Sequence, residues 1–314
     1  MQNSATLDPS AFRPDAVKPS LRERLILAAA LRAYRRKGQQ GLSLMENTTK
    51  DSEEYRAWRQ SELTAQYFDN FTAEDVVGKD VLDFGCGSGD LSLIVAEAGA
   101  RSVSGTDLEP GRVALAIETT GATEYADRMH FVESTSPTQI PFPDSSFDTI
   151  LCFDVMEHVM EPEEVIAEWA RVLKPGGQVL IWWMPWMHPY GHHFAHVMPV
   201  PWSHLIVDEA AFMRVCGRIY ESEDYTPPHW HLNEDGSRLK NAYVGERMST
   251  WLNGLGLRDF ERMVEASPLE VGNFRGVPMR ADSTIGKTLK PMTKVPRLRE
   301  LATAVALYRI VKPA

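Results

Sequence analysis

Short apolar runs of strand length recur through the middle of this chain, at residues 81–84, 100–106, 131–134, 149–153 and 178–183. Between them lie stretches with helix-opening signals. Asp107-Leu108-Glu109-Pro110 opens a helix expected over 111–118, and Pro162-Glu163-Glu164 opens one that ends near Leu173. Strands alternating with helices predict an α/β fold with a mostly parallel sheet and helices on both faces. Right-handed crossovers then place a ligand site at the carboxyl ends of the first strands.

The flanking segments read differently. Residues 1–19 contain three prolines and no periodicity, which predicts a loose arm. Ser20 is placed to cap a helix over 21–37, with Gly38 ending it. Leu21, Leu25, Ala28, Leu31 and Tyr34 recur there at helical spacing. A second helix is expected over 52–70. After Trp183 the composition shifts. Residues 184–231 hold His188, His192, His193, His196, His204, His229 and His231, seven of the nine histidines, with Trp186, Trp202, Trp230 and six prolines. That is too long and too aromatic for a plain connection, and it reads as an insertion covering a substrate pocket. Helices are expected again over 247–255 and 257–266. In 296–311, Leu298, Leu301, Ala302, Val305 and Tyr308 share a helical face while Leu307 falls off it. Residues 306–311 read equally well as a last strand.

Composition narrows the class. The chain has 314 residues, 43% hydrophobic and 24% charged, as in an ordinary globular protein. Cys86, Cys152 and Cys216 are odd in number and widely spaced, so neither a disulfide framework nor a CxxC metal pattern is expected. With no run long enough to span a bilayer and no signal-peptide pattern, the expected location is the cytoplasm. The net charge of −10 is uneven: residues 1–50 hold nine Lys/Arg against four Asp/Glu, residues 285–314 seven against one, and the remainder 17 against 38. An acidic body argues against nucleic-acid binding.

The chemistry concentrates at residues 81–89, Val-Leu-Asp-Phe-Gly-Cys-Gly-Ser-Gly. Glycines at 85, 87 and 89 allow positive φ and close approach of a ligand, and the N–H groups of the following helix point at it. Asp107, at the end of the next strand, carries a carboxylate suited to the vicinal hydroxyls of a ribose. The pattern is D-x-G-x-G-x-G rather than the G-x-G-x-x-G of a dinucleotide site. It resembles motif I of the class I S-adenosylmethionine-dependent methyltransferases. Residues 140–148 (Ile-Pro-Phe-Pro-Asp-Ser-Ser-Phe-Asp), 154–159 (Asp-Val-Met-Glu-His-Val) and 171–177 (Arg-Val-Leu-Lys-Pro-Gly-Gly) continue the likeness. They are similar to the series found in the methyltransferase type 11 group, over about residues 60–184.

The resemblance implies a doubly wound, seven-stranded Rossmann-like sheet and S-adenosylmethionine as cofactor, with S-adenosylhomocysteine as product. Asp83 and the turn of Gly85, Cys86, Gly87 and Gly89 would hold the methionine end. Asp107 would take the ribose hydroxyls and Leu108 would pack on the adenine. Glu133 or Ser134 would meet the adenine amine, and Asp154 would lie near the sulfonium. Cys86 reads as a small packed residue rather than a nucleophile. Glu157 and His158 match the family's "EH", in either a structural or a catalytic role.

Methyl transfer to a hydroxyl or amine needs a base. His192 and His193 are candidates from the insertion, within three readings: a pocket histidine as general base, a metal site using the i, i+4 pair His192 and His196, or ordinary packed histidines. The basic helix at 21–37 has two readings, a peripheral membrane contact or, preferred, a stripe packed on the domain. The expected organisation is an arm and helical cap (1–70), a cofactor-binding core (71–184), a His/Trp-rich lid (185–240) and a completion of the core (241–314). The expected partner is a small-molecule acceptor, with a metal-assisted O-methyltransferase or a non-catalytic cofactor-binding protein as alternatives.

Overall fold

Val81 and Leu82 show how the sheet is built. Neighbouring residues on a strand point to opposite faces, and here both faces are covered, so the strands read as continuous apolar runs rather than alternating ones. Leu82, Ile150, Cys152, Val179 and Ile181 enter one core with Trp169, Trp183, Phe260 and Tyr308. Val81, Val103, Leu151 and Leu180 enter the other with Tyr67, Ile94 and Val95. The computed structural model describes residues 9–37, 53–227 and 231–314, apart from positions 14, 16, 234, 246, 280, 282 and 283. Gly38, His229 and Trp230 lie outside the described residues.

The chain divides into two units, each made of two stretches: Arg56–Pro185 with Leu255–Ala314, and Met1–Tyr55 with Trp186–Gly254. Residues 241–254, expected with the core, thus group with the His/Trp-rich segment.

The first unit holds the sheet. Its strands are β1 (Asp80–Phe84), β2 (Ser102–Asp107), β3 (Met129–Glu133), β4 (Phe147–Phe153), β5 (Leu173–Trp183), β6 (Glu270–Pro278) and β7 (Thr303–Val311). They lie in the order β3-β2-β1-β4-β5-β7-β6. Neighbours from β3 to β5 pair parallel, and β7 pairs antiparallel with both β5 and β6. The helices are α2 (Glu53–Phe68), which belongs to this unit from Arg56 on, α3 (Asp90–Glu97), α4 (Pro110–Gly121), α5 (Pro162–Val172), α8 (Leu257–Glu265), α9 (Thr284–Leu289) and α10 (Arg299–Ala302).

The ambiguous segment at 296–311 resolves into one short helix followed by β7. Leu307 falls off the helical face because it belongs to a strand: it enters one core while Tyr308 enters the other. Strand β6 escapes a period-two reading for a different reason. It is an edge strand, and its register shifts between Val271 and Asn273, a bulge that breaks the alternation.

The second unit packs α1 (Leu21–Lys37) on α7 (Glu209–Glu221), with α6 (Ser203–Ile206) beside α7. Ser20 caps α1 as expected, and reciprocally: its hydroxyl accepts from Glu23 N–H at 3.3 Å, and its own N–H donates to Glu23 Oε2 at 2.9 Å. The buried face of α1 is Glu23, Ile26, Ala30 and Tyr34, whereas Leu21 and Leu25 of the expected stripe are 63% and 62% exposed. Arg214 Nε pairs with the buried Glu23 at 3.0 Å, and this pair selects the face. Helix α7, with Asp208 as its cap, lies within a stretch whose histidines and prolines mask its periodicity. The helix expected at 247–255 is only one 3-10 turn, Met248–Thr250. Gly254, at φ 68°, ends any continuation, while Met248 and Leu252 fill the unit's core.

Candidate functional site

The carboxyl ends of β1, β2 and β4 frame a cleft of about 470 Å³ in the sheet unit. Its lining includes Phe84, Gly85, Thr106, Asp107, Leu108, Ser134, Asp154, Val155, His158 and Met160. The backbone at its rim is unusual. Gly85, Gly87 and Gly89 have φ of 77°, 52° and 81°, and Asp154 sits at φ 58° although it is not glycine. A Cβ on Gly85 would fall 2.4 Å from Val155 Cγ2, so the turn can pass the β4 loop only as glycine. Positive φ at a non-glycine residue marks strain held by its surroundings. Gly105, inside β2, has the same logic: a Cβ there would meet Phe131 at 2.5 Å. A lone glycine within a strand is the sequence signal for that approach.

Asp107 is held by the glycine turn. Its Oδ2 accepts from Gly87 N–H at 2.9 Å and its Oδ1 from Glu109 N–H at 3.0 Å. Each oxygen keeps acceptor capacity for a ligand hydroxyl. Asp83 lies beneath the turn, 2% exposed, accepting from Ser92 Oγ at 2.7 Å. Burial, then the charges of Asp107 and Asp90, push its carboxyl up to about 7.

The other residues singled out from the sequence divide plainly. Leu108, 55% exposed, forms an apolar wall of the cleft, with Val155, Val159 and Met160. Ser134 lines it, but its hydroxyl donates to Ser136 O at 2.7 Å and so shapes the loop after β3. Glu133 is exposed and is not among the lining residues. Cys86 is buried, and burial pushes its thiol well up, as expected of a packed residue. Val155 and Met160 carry no sequence signal of their own and enter through the turn after β4.

Of the four candidate bases, His158 alone lines the cleft. Glu157 is 4% exposed. Burial first, and the charge of Asp154 second, push its carboxyl well above the usual range. His192 belongs to the other unit and is fully buried. Its Nδ1 accepts from Phe194 N–H at 2.9 Å, its ring packs on Phe212 and His204, and burial lowers its basicity well below the ordinary value. His193 sits at φ 60° beside Trp251. Residues 187–199 are turns rather than helix, so His192 and His196 do not share the helix face that an i, i+4 metal pair requires.

Residues 82–181 match a protein family described as a methyltransferase domain. Over these residues the chain is similar to the S-adenosylmethionine-dependent methyltransferases. A ubiquinone biosynthesis O-methyltransferase of Aliivibrio fischeri is 36% identical over 107 residues, 34% of this chain and 44% of that protein. The protein of the same name from Pseudomonas aeruginosa is 37% identical over 106 residues, again 34% and 44%. The chain thus spans under half the length of these curated relatives. Among solved structures, geranyl diphosphate C-methyltransferase from Streptomyces coelicolor, in complex with Mg2+, geranyl diphosphate and S-adenosylhomocysteine, aligns with 91% of this chain and 98% of its own. Its TM-score is 0.50 at 13% identity, a likeness of fold.

Proposed function

We propose that this protein transfers a methyl group from S-adenosylmethionine to the hydroxyl oxygen of an apolar small molecule, with a phenolic acceptor favoured. The observation that carries this reading is the convergence of the Gly85 turn and the Asp107 carboxylate on one apolar-walled cleft. The cofactor supplies an electrophilic methyl on a sulfonium. Around it, Asp107 accepts hydrogen bonds from the ribose hydroxyls through the acceptor capacity left beside Gly87 and Glu109, and Leu108 packs on the adenine. Ser134, rather than the exposed Glu133, borders the adenine edge. Asp83 and Asp154 supply negative charge toward the cationic methionine end, and a bound ammonium draws the Asp83 proton off. His158 takes the acceptor's hydroxyl proton as the new oxygen–carbon bond forms and the carbon–sulfur bond breaks. The names of the relatives, ubiquinone biosynthesis O-methyltransferases, support an oxygen acceptor on an apolar ring.

Calorimetry with S-adenosylhomocysteine tests the cofactor site. Asp107→Ala is expected to weaken binding by about tenfold or more, since two hydrogen bonds to a charged group are lost, while unchanged affinity refutes the ribose role. His158→Gln is expected to lower turnover on a phenolic acceptor by roughly 100-fold with S-adenosylhomocysteine affinity intact. Wild-type turnover in that variant removes His158 as the base.

A further inference from the structure

Helix α1 turns an apolar strip outward. Its inward face is Glu23, Ile26, Ala30 and Tyr34. On the outside, Leu21 and Leu25 stand one turn apart at 63% and 62% exposure, followed by the exposed Ala28 and Ala29. Val17, just before the helix, is 53% exposed. Arg22 Nη1 donates to the Ile206 carbonyl at 3.1 Å. That bond brings α6 beside the start of the strip, where Ile206 and Leu205 are themselves exposed.

The rim of the strip is cationic. Lys18, Arg24, Arg32 and Arg36 are exposed and have no ion-pair partner among the described residues. Arg35 pairs with Asp224 at 2.8 Å. Glu23, the one carboxylate in α1, is turned inward onto Arg214, so the outer face of the helix carries no negative charge. Apolar side chains flanked by long cationic ones fit the boundary between acyl chains and anionic headgroups: the leucines enter, the arginine stems lie along the apolar edge, and the guanidiniums meet phosphates. A protein of net charge −10 is repelled as a whole by such a surface, so any attachment must come from a local face.

We propose that this outer face of α1, with Ile206 beside it, docks the protein on an anionic lipid surface. The inference goes beyond the methyl-transfer reading and does not rest on it. It is tested with the full chain and no cofactor, by sedimentation with vesicles of phosphatidylcholine alone or mixed with phosphatidylglycerol. Binding is expected to the mixed vesicles only, and to fall as salt rises. Leu21→Ser/Leu25→Ser is expected to weaken it about tenfold or more, and Arg24→Gln/Arg32→Gln to weaken it with a shallower salt dependence. Both variants should melt like the parent, because the replaced side chains face solvent, and Leu25→Phe should retain binding. Absence of binding, binding unchanged in the leucine variant, or self-association through this face without vesicle binding overturns the assignment. Calorimetry with S-adenosylhomocysteine on the same samples reads the cofactor site separately, so the two proposals fail independently.

Discussion

Asp83 and His192 carry opposite lessons at the scale of single residues. Both are buried ionisable groups. Asp83 lies under the glycine turn with its carboxyl pushed up to about 7 from an ordinary 3.8, by burial and by Asp107 and Asp90. It therefore favours folding fully below 3.8 and loses that contribution as the pH rises through 7. Asp83→Asn copies the neutral form, so it is expected to raise the melting temperature at pH 8 and leave it unchanged at pH 4. Thermal unfolding at the two values checks this, and a variant destabilised at both contradicts it. The same change should weaken S-adenosylhomocysteine binding by removing charge near the ammonium. His192, by contrast, spends its Nδ1 on the Phe194 N–H and its faces on ring packing. Its residue type suggests a base, and its surroundings make it core. Sequence spacing put Asp83 next to the glycine turn because a strand, a turn and a helix are local. It had no means of telling His158 from His192, since burial comes from residues far away in the chain.

At the scale of elements, the antiparallel strand β7 is tied to the opening of the sheet by a half-buried charge pair. Arg309 on β7 reaches Asp75, just ahead of β1, through Nη1 at 2.6 Å and Nη2 at 3.0 Å. Asp75 also accepts from Gln178 on β5 at 3.2 Å. Burial pushes the Asp75 carboxyl up, but Arg309, the Thr72 N–H and Gln178 together hold it well below the usual range. Its contribution is therefore present above the ordinary carboxylate value and is lost as the pH falls. Arg309→Met leaves the buried Asp75 without its cation and is expected to cost about 1–3 kcal/mol in denaturant unfolding. Removing both partners, as Arg309→Met/Asp75→Leu, should recover much of that loss. For α1, the helix and its cap were legible, while the buried face was not. The apolar positions alone favour Leu21 and Leu25, and it is the buried pairing of Glu23 with Arg214 that rotates the helix.

At the scale of the whole molecule, Asp83 and the buried histidines make the two units respond in opposite directions as the pH falls from 6.5 toward 4. In the unit containing α1, burial lowers His188 to about 3 and His196 and His204 to about 4. The His231 charge also acts on His196, and the Trp186 carbonyl partly offsets the shift of His204. These imidazoles are neutral when folded and charge on unfolding, so this unit loses stability as the pH falls from 6.5 toward 4. In the sheet unit Asp83 gains stability over much of that range. Calorimetry at pH 5 is therefore expected to show a transition that shifts down and divides relative to pH 7.5, with the histidine-rich unit melting first. One sharp transition at an unchanged temperature would contradict this.

The parallel sheet, the glycine turn and the order of the central elements were legible in the chain alone. Those features rest on short-range requirements: strand runs covered on both faces, positive φ at fixed positions and proline at helix starts. Packing of distant segments set the rest. It made residues 303–311 a strand, because that segment lies between β5 and β6 with a core on each side. It joined residues 241–254 to the histidine-rich segment, turned Leu21 and Leu25 outward, and set His158 in the cleft while burying His192. Each of these outcomes depends on which distant side chains remove a residue from water, and burial of that kind is a property of the packed chain.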